Sequence, residues 1–93
     1  SLLDSIIRPM TLTILRQIDP PRKSLLLKFL YESKMIRRAE GNFLLDLSDG
    51  DFNGVRVEKI SMANLSVVGA SFVNSSFFAM DLTEGDFERT DFT

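Results

Sequence analysis

Five aspartates recur at multiples of five residues in the second half of the chain, and carboxylates in such numbers could bind a cation or act as paired acids in hydrolysis. They are Asp46, Asp51, Asp81, Asp86 and Asp91. The chain has no cysteine or histidine, which removes thiol nucleophiles, disulfides and the commonest metal ligand. We predict no catalytic residue, no metal site and no cofactor, and interpret these carboxylates as a solvated surface that keeps sheet edges from aggregating.

The aspartates are part of a pattern with a period of five residues. Ten successive repeats each carry an apolar residue at one fixed position, and the residue before it is polar every time. A helix has a period of 3.6 and a flat strand a period of 2, so neither keeps a period of five on one face. The chain must turn, with three residues as a minimal strand and two as a corner. The ten apolar residues, predicted to point inward as the structural core, are Leu47, Phe52, Val57, Met62, Val67, Phe72, Phe77, Leu82, Phe87 and Phe92.

Four sides of five residues close a square, so residues 20 apart are expected to stack. This interval places Phe52, Phe72 and Phe92 in one column. Turn-forming residues such as Asn53 and Gly54 fall in the corner positions.

The repeats resemble those of the pentapeptide-repeat family, whose consensus is Ala, then Asp or Asn, then Leu or Phe, then two variable residues. The resemblance covers residues 45–93 and is clearest in GDFN, ASFV, MDLT, GDFE and TDFT, whereas VRVEK and ISMAN depart from it. It implies a mainly β fold: a right-handed quadrilateral β-helix, or solenoid, of about 2.5 coils with a strand spacing of about 4.8 Å.

Residues 1–44 lack the five-residue period, and we predict that they form an α-helical N-terminal cap on the β-solenoid of residues 45–93. A solenoid leaves the backbone of its first coil open, and a helical unit can cover it. One short helix, with Leu2, Leu3, Ile6 and Ile7 on one face, is expected before Pro9, which interrupts it. A second helix carries Leu12, Leu15 and Ile18 on one face. A third is expected from about Pro20 to Ser33 or Lys34, with Asp19 as its N-cap and with Leu26, Phe29, Leu30 and Leu27 as buried positions.

The stretch TLTILRQIDPPRKSLLLKFLYESKMI is similar to the segment that precedes the repeats in bacterial, largely cyanobacterial, pentapeptide-repeat proteins, often with a membrane span further upstream. The resemblance implies that the chain is part of a longer bacterial protein. The sequence itself has no apolar run long enough to cross a bilayer and no basic leader, so we predict neither a membrane span nor a signal peptide. The expected location is the cytoplasm, with or without a tether to a membrane through a segment outside this chain.

The net charge also differs between the two halves of the chain. Residues 1–44 carry eight Lys or Arg against four Asp or Glu, a net +4, and residues 45–93 carry three against nine, a net −6. Some larger members of the family imitate DNA and regulate type II topoisomerases, so such a regulator is the alternative function. One turn of duplex DNA is about 34 Å long. A solenoid of 2.5 coils is only about 12 Å tall, which argues against this alternative. Direct nucleic-acid binding is not expected, because the positive half lacks an aromatic-interleaved basic stripe.

The prediction for function is a non-catalytic protein–protein interaction or scaffold module with an unidentified protein partner. Val68, Val73 and Phe78 follow inward positions and should point outward, and Phe78 is large enough to act as a partner contact. The pattern is still regular at Phe87 and Phe92, so the C-terminal coil end is expected either to be continued by further repeats in a longer protein or to form a weak homo-oligomer.

Overall fold

A computed structural model of the chain describes residues 2–37 and 45–93. The predicted boundary between the two segments, near Gly41 and Asn42, lies outside the described residues. Below, residues 2–37 are called the helical segment and residues 45–93 the repeat segment. Their elements, in chain order, are a π-helical turn at Leu3–Ile7, helix α1 at Arg8–Gln17, helix α2 at Pro20–Glu32, strand β1 at Arg56–Glu58 and strand β2 at Ser76–Phe78.

Proline positions set the helix boundaries. Pro9 lies in the first turn of α1 and follows the π-helical turn directly, so the predicted interruption at this residue is wrong. The change from π-helical to α-helical backbone falls next to Pro9, whose missing N–H removes one helical hydrogen bond. The predicted N-cap is present: the Asp19 carboxylate accepts a hydrogen bond from the Arg22 N–H at 3.0 Å, and Pro20 and Pro21 follow it in the first turn of α2.

The two α-helices bury one face each. Leu12 and Leu15 are buried on α1, and Leu27 and Leu30 on α2. Phe29 was predicted to be buried, but its side chain is 62% exposed. The buried face of α2 runs through positions 23, 24, 27, 30 and 31, and this turns position 29 to the outside.

The predicted fold class is wrong. The described residues contain two α-helices and a single sheet of two parallel strands, which does not close, rather than a mainly β solenoid of two and a half coils. The backbone accounts for the low strand content, because it leaves the extended conformation at nearly every corner. Non-glycine residues with positive φ interrupt the repeats at Asp49, Lys59, Asn64, Asn74, Ala79, Glu84 and Arg89.

Residues 20 apart are nevertheless paired along the repeat segment. β1 and β2 pair in parallel with Arg56 opposite Ser76, and isolated parallel bridges join further residues at the same interval. Backbone hydrogen bonds of 2.7 to 3.4 Å accompany them, such as Phe52 N–H to the Ser71 carbonyl at 2.8 Å. The isolated bridges at this interval are Asp51–Ser71, Ser61–Asp81, Ser66–Asp86 and Ser71–Asp91.

Burial of the ten predicted core residues decreases along the chain. The first six, from Leu47 to Phe72, are buried, and Phe77, Leu82 and Phe87 are partly buried. Phe92 is 51% exposed, although its ring stacks on that of Phe72 in the predicted column. The reason is that each apolar side chain is covered by the one that stacks on it from the next turn of the chain, and no described residue follows Phe92 at that interval.

Three phenylalanines form a column through this core. The Phe72 ring lies between those of Phe52 and Phe92, with centroid distances of 5.1 and 5.6 Å and interplanar angles of 10° and 16°. Phe77 contacts Phe72 at a tilted angle with a centroid distance of 5.4 Å. Stacked and tilted pairs at these distances add to the stabilisation from apolar burial.

We predict that Phe72→Ala destabilises the protein by about 3 to 5 kcal/mol, because it opens a cavity in the middle of the aromatic column. Phe78→Ala is the matched control, since it removes the same atoms from a side chain that is 62% exposed. It should cost less than about 1 kcal/mol. Chemical denaturation of the two variants measures the difference, and equal losses would contradict the inward position of Phe72.

Candidate interaction surfaces

All five predicted aspartates cap local turns. Each carboxylate accepts a hydrogen bond from the backbone N–H two residues later, at distances between 2.8 and 3.2 Å. Such bonds fix the corner that follows each strand-like segment. The aspartates therefore have a structural role in shaping the turns, which the sequence-based interpretation as a plain solvated surface did not include.

The stacking also keeps the aspartates apart. Ser71 lies between Asp51 and Asp91 in the bridge pattern, and Ser66 lies next to Asp86. Asp51 and Asp91 are thus two strand spacings apart, about 10 Å. Among the described residues, no group of three or more Asp or Glu side chains is arranged to hold a metal ion.

Local hydrogen bonds lower the pKa values of Asp46, Asp51, Asp81 and Asp91. Hydrogen bonds from the N–H and hydroxyl of Thr83 hold the pKa of Asp81 below its usual value, and the hydroxyl and N–H of Thr93 do the same for Asp91. Burial acts to raise the pKa of Asp46, but bonds from Ser48 and the nearby Arg8 guanidinium outweigh it, and the pKa is lowered. These carboxylates stay ionised and hold their turns at neutral pH.

The helical segment covers one backbone edge of the repeat segment, here called the helix-facing edge. Arg8 donates from Nε to the Asp46 carbonyl at 3.0 Å and from a terminal nitrogen to the Ser48 carbonyl at 2.8 Å. The Tyr31 hydroxyl donates to the Ala63 carbonyl at 2.6 Å. Side chains of the helices thereby satisfy carbonyls that have no earlier repeat to pair with.

An ion pair joins α2 to the same edge. The Lys23 ammonium, almost fully buried, lies 3.0 Å from the Asp51 carboxylate. Burial acts to raise the pKa of Asp51, but the Asn53 N–H and the Lys23 ammonium outweigh it, and the net pKa is lowered. The pair therefore links the docking of α2 to the ionisation of one repeat aspartate.

A groove lies where α2 meets the corner before β1. Its volume is about 420 Å³, and it is lined by Pro20, Pro21, Ser24, Leu25, Lys28, Gly54 and Arg56. Gly54 has φ +79°, and a Cβ there would lie 3.2 Å from Cγ of Pro20, so this corner and α2 are in close contact. Sequence reasoning missed this groove, because it is formed by two elements that are far apart along the chain.

The predicted partner contact Phe78 lies on the neighbouring strand. β1 contributes Arg56 to the groove and pairs with β2, which places Phe78 opposite Glu58. Phe78 is 62% exposed. We call the surface formed by the groove, the outward residues of β1 and β2, and the exposed Leu25 and Phe29 of α2 the α2–β1–β2 face.

The opposite backbone edge of the repeat segment is open. The N–H groups of Leu82 and Phe87 donate to no described residue, although their counterparts in the preceding turn of the chain, Met62 and Val67, donate to Asp81 and Asp86 carbonyls. Partly buried Leu82 and Phe87 and exposed Phe92 lie beside this edge. We call these residues, with the backbone of residues 79–89, the open edge.

A further apolar stripe lies on the outer side of the first helical residues. Leu2, Ile6, Met10 and Ile14 are all exposed and follow one another at intervals of four. The sequence predicted Leu2, Leu3, Ile6 and Ile7 as one apolar face, but the structure exposes Leu2 and Ile6 and partly buries Leu3 and Ile7. The buried side of α1 is set by Leu12 and Leu15, further along the helix.

Comparison of the chain with protein-family models, with curated proteins and with solved structures found no match. The resemblance to pentapeptide-repeat proteins therefore remains a prediction from the residues alone. In the described part of the chain, none of the helices has the length and apolar character needed to cross a membrane.

We predict that Lys23→Met lowers stability at neutral pH by about 1 kcal/mol and weakens its dependence on acid. Asp51 has a lower pKa in the folded chain than when unfolded, so its contribution is present above the usual value of 3.8 and is lost as the pH falls through the folded pKa. Without the ammonium the folded pKa rises, and less stability is lost on acidification.

Denaturation midpoints measured between neutral and acid pH test this prediction. Arg22→Met is the control, since it removes a cation of the same helix from an exposed pair with Asp19. It should leave the acid dependence unchanged. Parallel pH profiles for the wild type and Lys23→Met would contradict a functional link between this ion pair and Asp51.

Proposed function

We propose that the chain is a non-catalytic protein–protein interaction or scaffold module that uses the α2–β1–β2 face. The observation that carries the proposal is the exposure of Phe78, a large aromatic side chain held outward at 62% on a paired strand. Aromatic side chains on a fixed backbone make effective interface anchors, because little conformational entropy is lost when they are buried.

Other exposed apolar residues of the α2–β1–β2 face support its use. Leu25 and Phe29 of α2 are 65% and 62% exposed, which adds apolar surface beyond the groove. Exposed apolar side chains that cluster near a groove are typical of binding surfaces, whereas scattered ones are ordinary.

The same module is proposed to self-associate weakly through its open edge. The unpaired N–H groups of this edge are a template for pairing with another strand. Residues 79–93 carry five acidic residues against one cation, Arg89, so this edge is negatively charged. Two such edges repel each other, which favours a weak, concentration-dependent dimer.

Affinity capture from a bacterial lysate tests the proposed function. We expect at least one protein that is retained by the wild type and lost with Phe78→Ala, while thermal unfolding of the variant is unchanged. Met10→Ala, which trims an exposed apolar residue of α1, should retain it. Equal capture by the wild type and Phe78→Ala would contradict the use of this face. Inhibition of gyrase supercoiling by the chain would favour the DNA-mimic alternative instead.

Sedimentation velocity over a range of protein concentrations tests the self-association. The wild type should show a rising mean mass, more strongly at high ionic strength because salt screens the acidic side chains. Phe92→Glu removes apolar surface and adds to the negative charge of the open edge, so it should remain monomeric. A wild type that stays monomeric at all concentrations and salt levels would refute association through this edge.

A further inference from the structure

We propose that the groove between α2 and β1 binds a peptide segment of a partner protein that combines an apolar anchor residue with acidic side chains. This inference rests on the proposed function, because it assigns a partner chemistry to one part of the α2–β1–β2 face. It is carried by three features of the groove: a fixed shape, an apolar wall and two cations that form no ion pair with a described carboxylate.

Hydrogen bonds and close packing fix the shape of the groove. The hydroxyl of Ser24, a buried residue, donates to the Pro20 carbonyl at 3.1 Å and accepts from the Arg56 N–H at 3.2 Å. Pro20 also packs against the Gly54 corner. Both walls are therefore held before a ligand arrives, which lowers the entropic cost of binding.

One wall is apolar and continues along α2. Pro21, Leu25 and Phe29 are exposed and follow at intervals of four, which places them on one side of the helix. A volume of about 420 Å³ has room for one or two side chains of a peptide rather than a whole folded surface. A Leu, Met or Phe anchor fits such a wall.

The charges of the groove determine which peptide residues can flank the apolar anchor residue. Lys28 and Arg56 line it from opposite elements, and neither forms an ion pair with a described carboxylate. Some other described cations are paired within the chain, as Lys23 is with Asp51 and Arg22 with Asp19. Two such cations beside an apolar wall favour a ligand with carboxylates flanking its anchor.

The rest of the molecule favours an acidic peptide over the other polyanions. Residues 45–93 carry a net charge of −6, which repels the long phosphate backbone of a nucleic acid and the surface of an anionic membrane. A short acidic segment contacts only the groove. Glu58, outward on β1 beyond Arg56, limits the acidic part of the ligand to the α2 side.

Fluorescence polarisation with a labelled nonapeptide, one leucine flanked by glutamates, tests the inference at low ionic strength. Lys28→Gln and Arg56→Gln should each weaken binding about five- to tenfold through loss of a charge-assisted contact. Leu25→Ala should weaken it through loss of the apolar wall. Lys34→Gln makes the same charge change at an exposed position outside the groove and should alter the affinity less than about twofold.

Three results would overturn the inference. The first is equal binding of a peptide with glutamine in place of glutamate, and the second is unchanged binding by the Lys28→Gln, Arg56→Gln double variant. The third is tighter binding of the groove to anionic vesicles or duplex DNA than to the peptide. Thermal unfolding of each variant checks that the fold is intact. If the peptide results fail while capture still depends on Phe78, only the groove assignment falls. Loss of the dependence on Phe78 refutes the proposed function itself.

Discussion

Parallel backbone hydrogen bonds between successive turns of the chain connect the whole repeat segment. They link Phe52 to Ser71 and Phe72 to Asp91, so each turn lies on the one before it. Side chains 20 residues apart then stack in columns, as the Phe72 ring does between those of Phe52 and Phe92. The hydrophobic core depends on this interval, because a shift by one residue would turn every inward side chain outward.

The stacked turns have two backbone edges, and the hydrogen bonding of the backbone groups differs between them. At the helix-facing edge, Arg8 and Tyr31 donate to free carbonyls, and Ser24 accepts from the free N–H of Arg56. At the open edge, backbone N–H groups such as that of Leu82 find no described acceptor. Unpaired backbone donors favour association. The two edges thus differ: side chains of the helices pair backbone groups of one, and donors of the other have no acceptor among the described residues.

Sequence periodicity predicted the stacking interval but not the fold class. The period of five follows from local requirements: each repeat has an apolar residue inward and a polar residue before it, and in five repeats that polar residue is an Asp that caps the next turn, as Asp51 does for Asn53. Strand content depends on something else, namely how many consecutive residues stay extended. Positive φ at corner residues such as Lys59 and Ala79 keeps the strands short, and most pairs remain isolated bridges.

Tertiary contacts decided which helical residues are exposed. A helix can bury any of several faces, and α2 buries the one that brings Lys23 to Asp51 and Ser24 to Arg56. Phe29 is left outside as a consequence. The apolar pattern of α2 alone could not indicate this, since it offers Leu25, Leu26, Leu27, Phe29 and Leu30 on nearly all sides.

The repeat that contains Arg56 departs from the repeat pattern, and α2 contacts the repeat segment at this position. Most repeats nearby have Asp or Ser before the apolar residue, and Asp at that position accepts from the N–H two residues later. Arg56 cannot, because a guanidinium has no acceptor. Its own N–H donates to Ser24 of α2, and its side chain lines the groove beside Lys28. An arginine here supplies charge to the α2–β1–β2 face at the position where five other repeats have a turn-capping aspartate, so the irregular repeat is where the repeat segment contributes to the proposed binding surface.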